Sequence, residues 1–397
     1  MNLLAGALPF DNGNAAAMTF RIERLASADT VILEVSGDIA GGRQTELRAL
    51  LHAETDARRV TVDLAAVTRV DLDGVALLDE YEALGAALRN VPSYVRARIN
   101  DLKHEKQMAI TSTPVTEQEG TFTSSDGTRI FHRSWQPPDP PRAAVVIVPG
   151  FNSHSGYYRW AGQQLAAQHA AVYAVDLRGR GQSDGERFYV GGFDDYLRDV
   201  DAMVGVAASQ HPGVPRFVLG HSAGGVLACL YVLGHQSRLA GLICESFAFQ
   251  TPAPDFALAA LKGLSHVFPH AHVLHLKNED FSRDASVVEA MNADPLIAHE
   301  TQPTQTVAEL VRADERLRAA FPDITLPVLI LHGTADRAAK ASGSQAFFDA
   351  AGSRDKTLKL YDGVYHDPLN DEGRERVMAD ITAWIDARAP VGARTGR

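Results

Sequence analysis

A serine with the surroundings of a reactive nucleophile stands in the pentapeptide GHSAG, residues 220–224. The apolar run 217–219 precedes it, and a stretch of helical character follows as far as Val232. A chain that turns sharply from a strand into a helix, with small residues beside a serine, exposes the hydroxyl at the edge of a sheet. We therefore expect Ser222 to attack an acyl carbon, if a base and an acid meet it in space.

The partners that a serine nucleophile needs are a general base and an acid that orients the base. Asp336 follows the apolar run 327–331, and His366 follows the apolar run 357–361. Open parallel sheets place their sites at the carboxyl ends of the strands, so both side chains are expected beside Ser222. The order Ser, Asp, His along the chain fits this arrangement.

Two other carboxylates compete for the role of orienting acid. Asp362 and Asp367 flank His366 in the sequence. Their separation from His366 is too short for either carboxylate to reach easily behind the imidazole ring. We therefore favour Asp336 as the acid.

An oxyanion forms when a serine attacks an ester, and backbone N–H groups usually bind it. The apolar run 145–148 leads into a Pro-Gly pair, and Phe151 follows. We expect the N–H of Phe151 and that of Ala223, directly after the nucleophile, to be the two donors. Gly150 allows the chain to turn tightly at this point.

The elements that must position these residues alternate between strand and helix over residues 120–390. The predicted strands include 144–148, 171–176, 217–219, 242–244, 328–331 and 358–361. Such alternation is typical of an α/β protein with a mostly parallel sheet that is covered by helices on both faces. The segment 247–322 interrupts the alternation.

The chain before this region predicts a second, smaller α/β unit over residues 18–103. Apolar spacing predicts strands at 31–35, 60–64 and 94–99, and helices at 44–55 and 74–88. Residues 104–119 are polar and mixed in charge, without apolar periodicity, as in a linker. Residues 1–17 and 391–397 are expected to form disordered tails.

Residues 120–388 resemble the α/β-hydrolase superfamily, and within it the branch of monoacylglycerol lipases and lysophospholipases. The segments that carry the resemblance are PGFNSHSGYY (149–158), VDLRGRGQSDGERFYV (175–190), GHSAGG (220–225), SRDASVVEAMNADPL (282–296), HGTADR (332–337) and DKTLKLYDGVYH (355–366). The resemblance implies that Ser222 is the nucleophile, Asp336 the orienting acid and His366 the base. It also implies that residues 247–322 form a helical cap over the site.

Three positions depart from the pattern of the monoacylglycerol lipases. In that branch the oxyanion loop carries an acidic residue and an arginine that look toward the glycerol head group, where this chain has Ser153 and Tyr157. A second histidine, three residues beyond the catalytic one, is replaced by Leu369. We therefore expect the groups that cleave the ester to be intact and the recognition of glycerol to differ.

Substrate contacts are predicted on two segments. Ser153 and Tyr157 are expected to contact the head group, and Phe256 and Leu261 the acyl chain. The apolar residues of the predicted cap that suit an acyl chain are Phe256, Leu258, Ala259, Leu261, Leu264 and Phe268. These side chains could equally dock the cap onto the core, because buried apolar area does not separate the two functions.

Residues 18–103 resemble a STAS domain, the fold of anti-sigma-factor antagonists and of small subunits in some lipid-transport complexes. The resemblance rests on VTVDLAAVT (60–68), VDLDG (70–74) and the predicted helix that follows, and the last helix of the fold is predicted to be missing. In the antagonists a serine directly before the glycine is phosphorylated, and Asp73 stands there. Its charge could imitate a phosphate, but we interpret it as the cap of a helix that starts at Gly74. The resemblance implies a regulatory module that binds a protein partner.

The composition narrows the partners and the compartment. A formal net charge of −11 over 397 residues argues against nucleic acid or an anionic membrane as an electrostatic partner. No apolar segment is long enough to span a bilayer. Cys229 and Cys244 lie within apolar runs, as buried free thiols of a reducing compartment do. We therefore expect a cytoplasmic protein without a transmembrane segment.

No metal ion or organic cofactor is predicted. His270, His272 and His275 cluster in the predicted cap, but no cysteine or nearby carboxylate at ligand spacing completes a zinc site. His154 and His221 stand beside the active-site motifs. We interpret both as packing or hydrogen-bonding residues.

These features predict a serine hydrolase that cleaves carboxylic esters of a lipid or acyl substrate through an acyl-Ser222 intermediate. The same three side chains could instead serve thioester cleavage, or acyl transfer to an acceptor other than water. A different alternative is a signalling adaptor, in which the STAS-like unit carries the function and the hydrolase half only binds a ligand. The presence of all three groups favours the enzyme.

Overall fold

A computed structural model describes residues 20–27, 30–40, 42–55, 59–83, 86–111, 115–249, 255–298 and 300–389. The chain divides into two compact units, residues 1–112 and 113–397. Both predicted disordered tails, 1–17 and 391–397, lie outside the described residues.

The first unit is a small α/β structure. Its elements are β1 (Arg21–Ala26), β2 (Thr30–Ile39), α1 (Gln44–Thr55), β3 (Arg59–Val70), α2 (Leu72–Ala83), β4 (Ala87–Arg89) and α3 (Ser93–Thr111). The strands form a sheet in the order β1-β2-β3-β4, in which only the β1–β2 pair is antiparallel. Alternate residues of β2 and β3 are buried with the apolar faces of the helices, and this core stabilises the unit.

Three predictions for this region are wrong. Residues 94–99 are helical rather than extended, because Val95 and Ile99 bury one face at helical spacing. Helix α3 continues to Thr111 and β5 begins at Thr116, so most of the predicted linker 104–119 is regular structure. A helix therefore does follow the last strand of the sheet, where the sequence predicted none.

The cap of α2 also differs from the prediction. The helix starts at Leu72, and Asp71 Oδ1 accepts a hydrogen bond of 2.8 Å from the N–H of Gly74. Asp71 therefore occupies the capping position that the sequence analysis gave to Asp73. The Asp73 side chain is exposed in the first turn, where Gln44 Nε2 lies 3.5 Å from its Oδ2.

The second unit alternates strands and helices. Its elements are β5 (Thr116–Thr123), β6 (Arg129–Gln136), β7 (Ala143–Val148), α4 (Arg159–Ala167), β8 (Ala170–Val175), α5 (Phe193–Gln210), β9 (Arg216–His221), α6 (Ala223–His235), β10 (Gly241–Glu245), α7 (Asp255–Leu264), β11 (His272–Leu274), α8 (Ala285–Ala293), β12 (Gln302–Pro303), α9 (Thr304–Ala320), β13 (Val328–Gly333), α10 (Ala341–Ala350), β14 (Lys356–Tyr361) and α11 (Arg374–Asp386).

Eight strands form one sheet in the order β14-β13-β10-β9-β7-β8-β6-β5. The six strands from β14 to β8 in this order are parallel to one another. Strand β6 pairs with β8 in the antiparallel direction, and β5 pairs with β6 in the antiparallel direction. Helices α4 and α11 bury one face of the sheet, and α5, α6, α9 and α10 bury the other. The prediction of a mostly parallel sheet between two helical layers is confirmed.

The chain leaves the sheet between β10 and β13. We call its described residues 246–249, 255–298 and 300–327 the cap segment; it carries α7, α8 and α9 and a short β11–β12 pair. Helix α9 returns to the core, because Leu310, Ala313 and Leu317 are buried against the sheet layer. This is the region in which the resemblance implies a cap.

Across the described residues, no helix combines the length and the apolar character that crossing a bilayer requires.

Candidate active site

Ser222 occupies the sharp turn between β9 and α6. Its φ of 54° and ψ of −122° lie in a region that residues with a side chain rarely adopt, which costs about 1–3 kcal/mol. The N–H of Ser222 donates to the carbonyl of Glu245 on the neighbouring strand, at 2.9 Å. This bond to β10 holds the strained turn in place.

Small residues around the turn allow close backbone contacts. A Cβ at Gly224 would overlap the carbonyl oxygen of Val148, and a Cβ at Gly150 would lie 2.7 Å from Ser222 Cβ. The loop after β7 therefore touches the start of α6 through glycine alone. This contact places Gly150, the residue before Phe151, against Ser222.

We expect Gly224→Ala to lower the free energy of unfolding by about 2 kcal/mol or more, because its methyl group overlaps a backbone oxygen that cannot rotate away. Gly234 is the matched control, since it lies on the same helix with no other atom within 4 Å of an added Cβ. Gly234→Ala should be neutral or stabilise the protein by up to about 1 kcal/mol. Equal urea midpoints for the two variants would contradict the close contact.

The three residues predicted from strand ends do meet. Ser222 Oγ lies 2.8 Å from His366 Nε2, and His366 Nδ1 lies 2.7 Å from Asp336 Oδ2. Asp336 follows β13 and His366 follows β14, while Ser222 follows β9. Ser222 is 6% exposed and His366 1%, so the contact is shielded from water. This arrangement can move a proton from a serine hydroxyl to an imidazole.

Asp336 is held as an anion by several donors. Its Oδ1 accepts hydrogen bonds of 2.8 and 2.9 Å from the N–H groups of Ala338 and Ala339, and His332 Nε2 lies 2.9 Å from its Oδ2. Burial alone would raise the pKa of Asp336, but His366 and His332 hold that pKa well below its usual range. The carboxylate therefore stays ionised throughout the neutral pH range and can accept a hydrogen bond from the Nδ1–H of His366.

The rival acids lie elsewhere. Asp362 Oδ1 accepts a hydrogen bond from Thr334 Oγ1 at 3.2 Å. Asp367 Oδ2 accepts one from the side-chain amide of Asn370 at 3.0 Å. Neither carboxylate contacts the imidazole of His366 in the described hydrogen bonds, so the preference for Asp336 agrees with the geometry.

The loop that carries Phe151 is tied to the cap segment. The N–H of Asn152 donates to Glu300 Oε1 at 3.0 Å, and Glu300 also forms a buried ion pair with Arg180. The Arg180 guanidinium covers the ring of Phe151, 4.3 Å from its centroid. These contacts hold the loop that carries Phe151, the residue whose N–H is predicted to be one of the two oxyanion donors.

Ser153 and Tyr157, the predicted head-group contacts, lie on the segment that follows Phe151. Ser153 is buried next to the hydroxyl of Tyr158. The Tyr157 hydroxyl donates to Asp294 Oδ2 of the cap segment at 2.9 Å, and His154 Nε2 lies 2.8 Å from the same oxygen. Tyr157 therefore connects the loop to the cap segment, and His154 is a hydrogen-bonding residue as interpreted.

The predicted acyl contacts lie on α7 of the cap segment. Phe256 is 78% exposed, and Leu261 is half-buried on the same helix. Apolar spacing identified the helix but not the face that it turns to the core, because Phe256 and Leu261 lie on different sides of it. The contact of these two side chains with an acyl chain stays a prediction.

Several site residues were missed because their partners are distant in sequence. Arg180 and Glu300 are 120 positions apart, and Asp294 contacts a loop 137 residues earlier. A buried charge must find an opposite charge, but a sequence does not show which one. Among these contacts, the one between His332 and Asp336 could have been predicted locally, because the two residues are four positions apart.

Histidines in the cap segment have ordinary partners. His270 Nδ1 lies 2.7 Å from Glu186 Oε1, and His272 Nδ1 lies 2.7 Å from Thr301 Oγ1. Over the described ranges, one set of three side chains is close enough together to supply metal ligands, and it lies outside these histidines: His221, Glu245 and Asp367.

Comparison with known proteins places the second unit in a family. Residues 139–373 match the family model described as serine aminopeptidase, S33. The monoacylglycerol lipase of Mycolicibacterium smegmatis is 32% identical over 68% of this chain and 97% of its own length. Human monoglyceride lipase is 34% identical over 67% of this chain and 90% of its own length.

A solved structure agrees with the sequence relatives. The monoacylglycerol lipase of Paleococcus ferrophilus superposes with a TM-score of 0.58 at 26% identity, over 70% of this chain and all of that one. The chain thus belongs to the α/β hydrolases, in their monoglyceride lipase-like branch, and is a carboxylic ester hydrolase.

Proposed function

We propose that Ser222 is the nucleophile, with His366 as general base and Asp336 as orienting acid. The observation that carries this assignment is the continuous contact from Ser222 Oγ through both ring nitrogens of His366 to Asp336. The strained backbone of Ser222 supports it, because strain of this kind concentrates at functional residues. These are the roles that the sequence analysis predicted for Ser222, His366 and Asp336.

Acylation would begin when His366 Nε2 takes the proton of Ser222 Oγ as the oxygen attacks the ester carbonyl. The oxyanion would receive hydrogen bonds from the N–H groups of Phe151 and Ala223. The imidazolium would be stabilised by Asp336, and its Nε2 proton would then pass to the departing alcohol. The acyl group remains as an ester on Ser222.

Deacylation would repeat these steps with water. His366 takes a proton from water, the resulting hydroxide attacks the acyl-Ser222 carbonyl, and the second oxyanion uses the same two N–H donors. Return of the proton from His366 Nε2 to Ser222 Oγ releases the carboxylic acid. The enzyme ends in its starting protonation state.

A lipid ester is the proposed substrate. The relatives described above are monoacylglycerol and monoglyceride lipases, which supports an acyl ester of this kind. The Tyr157 hydroxyl is engaged by Asp294 and Ser153 is buried, so neither offers a charged group to a head group. We propose that the acyl chain, rather than a glycerol unit, dominates substrate selection.

A panel of substrates tests this proposal. We expect hydrolysis of p-nitrophenyl esters to vary with acyl length, and a monoglyceride and a lysophospholipid of the same acyl chain to be cleaved at similar rates. A strong preference for the glycerol ester would contradict the proposed selection. Added alcohols and thiols, with product analysis, separate hydrolysis from acyl transfer, and acyl thioesters test thioesterase activity.

For the first unit we propose a STAS-like, partner-binding role over residues 18–103. The mixed sheet with helices α1, α2 and α3 supports this, as does the exposed carboxylate of Asp73 beside Leu72, which is 69% exposed. An exposed acidic and apolar pair at a helix start suits a protein contact better than a cap, since Asp71 already serves as the cap.

Removal of residues 1–112 tests the role of this unit. We expect the remaining chain to retain esterase activity and to lose either regulation of that activity or a binding partner of the full-length protein. Unchanged folding, activity and binding would leave the regulatory proposal without support.

We also propose a cytoplasmic location, because Cys229 and Cys244 are buried free thiols with 3.6 Å between their sulfurs.

A further inference from the structure

Three buried ionisable side chains lie behind the loop that carries His366. His221 and Glu245 are opposite each other on the parallel strands β9 and β10, and Asp367 directly follows His366. The exposed fractions of these side chains are 0%, 0% and 5%. One nitrogen or oxygen atom from each lies within 4.8 Å of those from the other two. The mechanism described above uses none of them.

Two of the three hold the backbone of this loop. His221 Nε2 lies 3.1 Å from the carbonyl oxygen of His366, to which it donates. Glu245 Oε1 accepts a hydrogen bond of 2.8 Å from the N–H of Leu369. The sheet therefore grips the segment 366–369 at both ends, on either side of Asp367.

The remaining atoms of the cluster pose a charge problem. No N–H or O–H group of the described residues reaches Glu245 Oε2, Asp367 Oδ1 or His221 Nδ1. Neither carboxyl group forms an ion pair with a lysine or arginine there. Two adjacent carboxylates, buried without a cation, would carry a large desolvation and repulsion cost. A proton on one of them removes this cost and supplies the missing donor.

We propose that Glu245 is a positioning residue of the hydrolase: it remains protonated, shares that proton with Asp367, and so holds the segment 366–369 in the geometry that His366 needs. This inference rests on the proposed role of His366 as the base. Glu245 and Asp367 each present a carboxyl oxygen within 4.8 Å of the other. A proton on Glu245 Oε2 would therefore lie near Asp367, while Oε1 still accepts from Leu369. One shared proton would give both orphan oxygens a partner.

The surroundings of the pair favour the neutral form of Glu245. Burial and the neighbouring Asp367 raise the pKa of Glu245 well above its usual range. Burial lowers the pKa of His221, so this ring does not supply a compensating positive charge. The other ionisable groups around the pair are the phenols of Tyr157, Tyr158 and Tyr361 and the side chains of Asp336 and His366.

The variants Glu245→Gln and Glu245→Leu test whether the hydrogen bonds of a neutral Glu245 side chain are what the segment 366–369 needs. Glutamine keeps the acceptor for Leu369 and offers an N–H to Asp367, so we expect kcat to fall less than about 10-fold. Leucine removes both bonds, and a displaced His366 should lower kcat by about 100-fold with little change in KM. Equal losses in the two variants would show that a charged Glu245 is needed and would overturn the proposal.

The pH dependence supplies a second readout. The wild type should lose kcat/KM at alkaline pH as the shared proton leaves, and Glu245→Gln should lack that part of the profile. Glu372→Gln is the control, because Glu372 is exposed on the loop that follows. An alkaline limb that is identical in the wild type and Glu245→Gln would contradict the shared proton.

Melting temperatures test the same proton without any activity. The folded-state pKa of Glu245 lies above its unfolded value near 4.5, so the stabilisation is complete below that pH and is lost as pH rises toward the folded pKa. Glu245→Gln should therefore gain melting temperature relative to wild type as pH rises, and Glu372→Gln should not. If the wild type cleaves no ester, the proposed function fails. The comparison of melting temperatures would still show whether Glu245 is protonated in the folded protein.

A bound cation is the competing explanation for the cluster. Elemental analysis of the purified protein and dialysis against EDTA distinguish it. We expect no stoichiometric metal and unchanged melting. One metal ion per chain, whose removal lowers the melting temperature of wild type but not of Glu245→Leu, would replace the shared proton by a metal site.

Discussion

Ser222→Ala is expected to lower kcat for ester hydrolysis by about 10⁶-fold and to abolish labelling by a fluorophosphonate probe. Ser222 Oγ is the atom that His366 Nε2 contacts at 2.8 Å, and alanine removes the oxygen that forms the acyl intermediate. The remaining N–H donors and binding contacts would leave a small rate above that in water. The measurements are initial rates with a p-nitrophenyl ester and gel-based detection of the probe.

The surface serine Ser209 provides the control. Its hydroxyl donates to the carbonyl of Val206 on α5, and the residue is exposed. Ser209→Ala should retain full labelling and activity. A Ser222→Ala protein that still reacted with the probe, or that lost only a few-fold in rate, would exclude Ser222 as the nucleophile.

Asp336→Asn is expected to lower kcat by about 10⁴-fold, because the amide changes which ring nitrogen of His366 carries the proton. Asp336 Oδ2 now accepts from His366 Nδ1, which leaves Nε2 free to receive the serine proton. An asparagine can present an N–H group instead and hold the wrong tautomer. Single-turnover acylation, with KM measured in parallel, would show the loss in the chemical step.

The same substitution should change stability in a pH-dependent way. The folded-state pKa of Asp336 lies below its unfolded value near 3.8, so its contribution is present above that pH and is lost as pH falls toward the folded pKa. Asp336→Asn should therefore be less stable than wild type near pH 7, with a smaller difference in strong acid. Thermal unfolding at several pH values measures this.

Asp362→Asn is the control for the acid, since Asp362 is one of the two carboxylates that flank His366 in the sequence, and it bonds to Thr334. We expect its kcat to stay within a few-fold of wild type. A loss as large as that of Asp336→Asn would mean that the loop carrying His366 rearranges during the reaction. Asp336 would then not be the orienting acid.

The sequence predicted the parts of the molecule that local patterns determine. Ser222, Asp336 and His366 each follow an apolar strand, and a parallel sheet brings such ends to one edge. The segment 94–99 was predicted wrongly because its apolar residues fit both a strand and a helix. Val95 and Ile99 are four residues apart and share one buried face of a helix. Length and the continuing helix to Thr111 distinguish the two structures, and the polar composition concealed that helix.

The features that the sequence did not predict arise from contacts between distant segments. The Tyr157 hydroxyl is bound by Asp294 on an insertion whose packing no local pattern describes. Glu245 reads as the polar end of an apolar strand, and its importance depends on Asp367, which lies 122 positions later. Such pairs are selected by burial, and burial is a property of the folded chain.

The ion pair between Arg180 and Glu300 ties the cap segment to the loop that follows β7. Glu300 belongs to the cap segment and also accepts the N–H of Asn152, so one buried carboxylate holds both parts in place. Loss of that carboxylate would leave the Arg180 guanidinium buried without its counter-ion. A single substitution at Glu300 would therefore disturb the cap segment and the backbone beside Phe151 together, although Asn152 and Glu300 are 148 positions apart in the sequence.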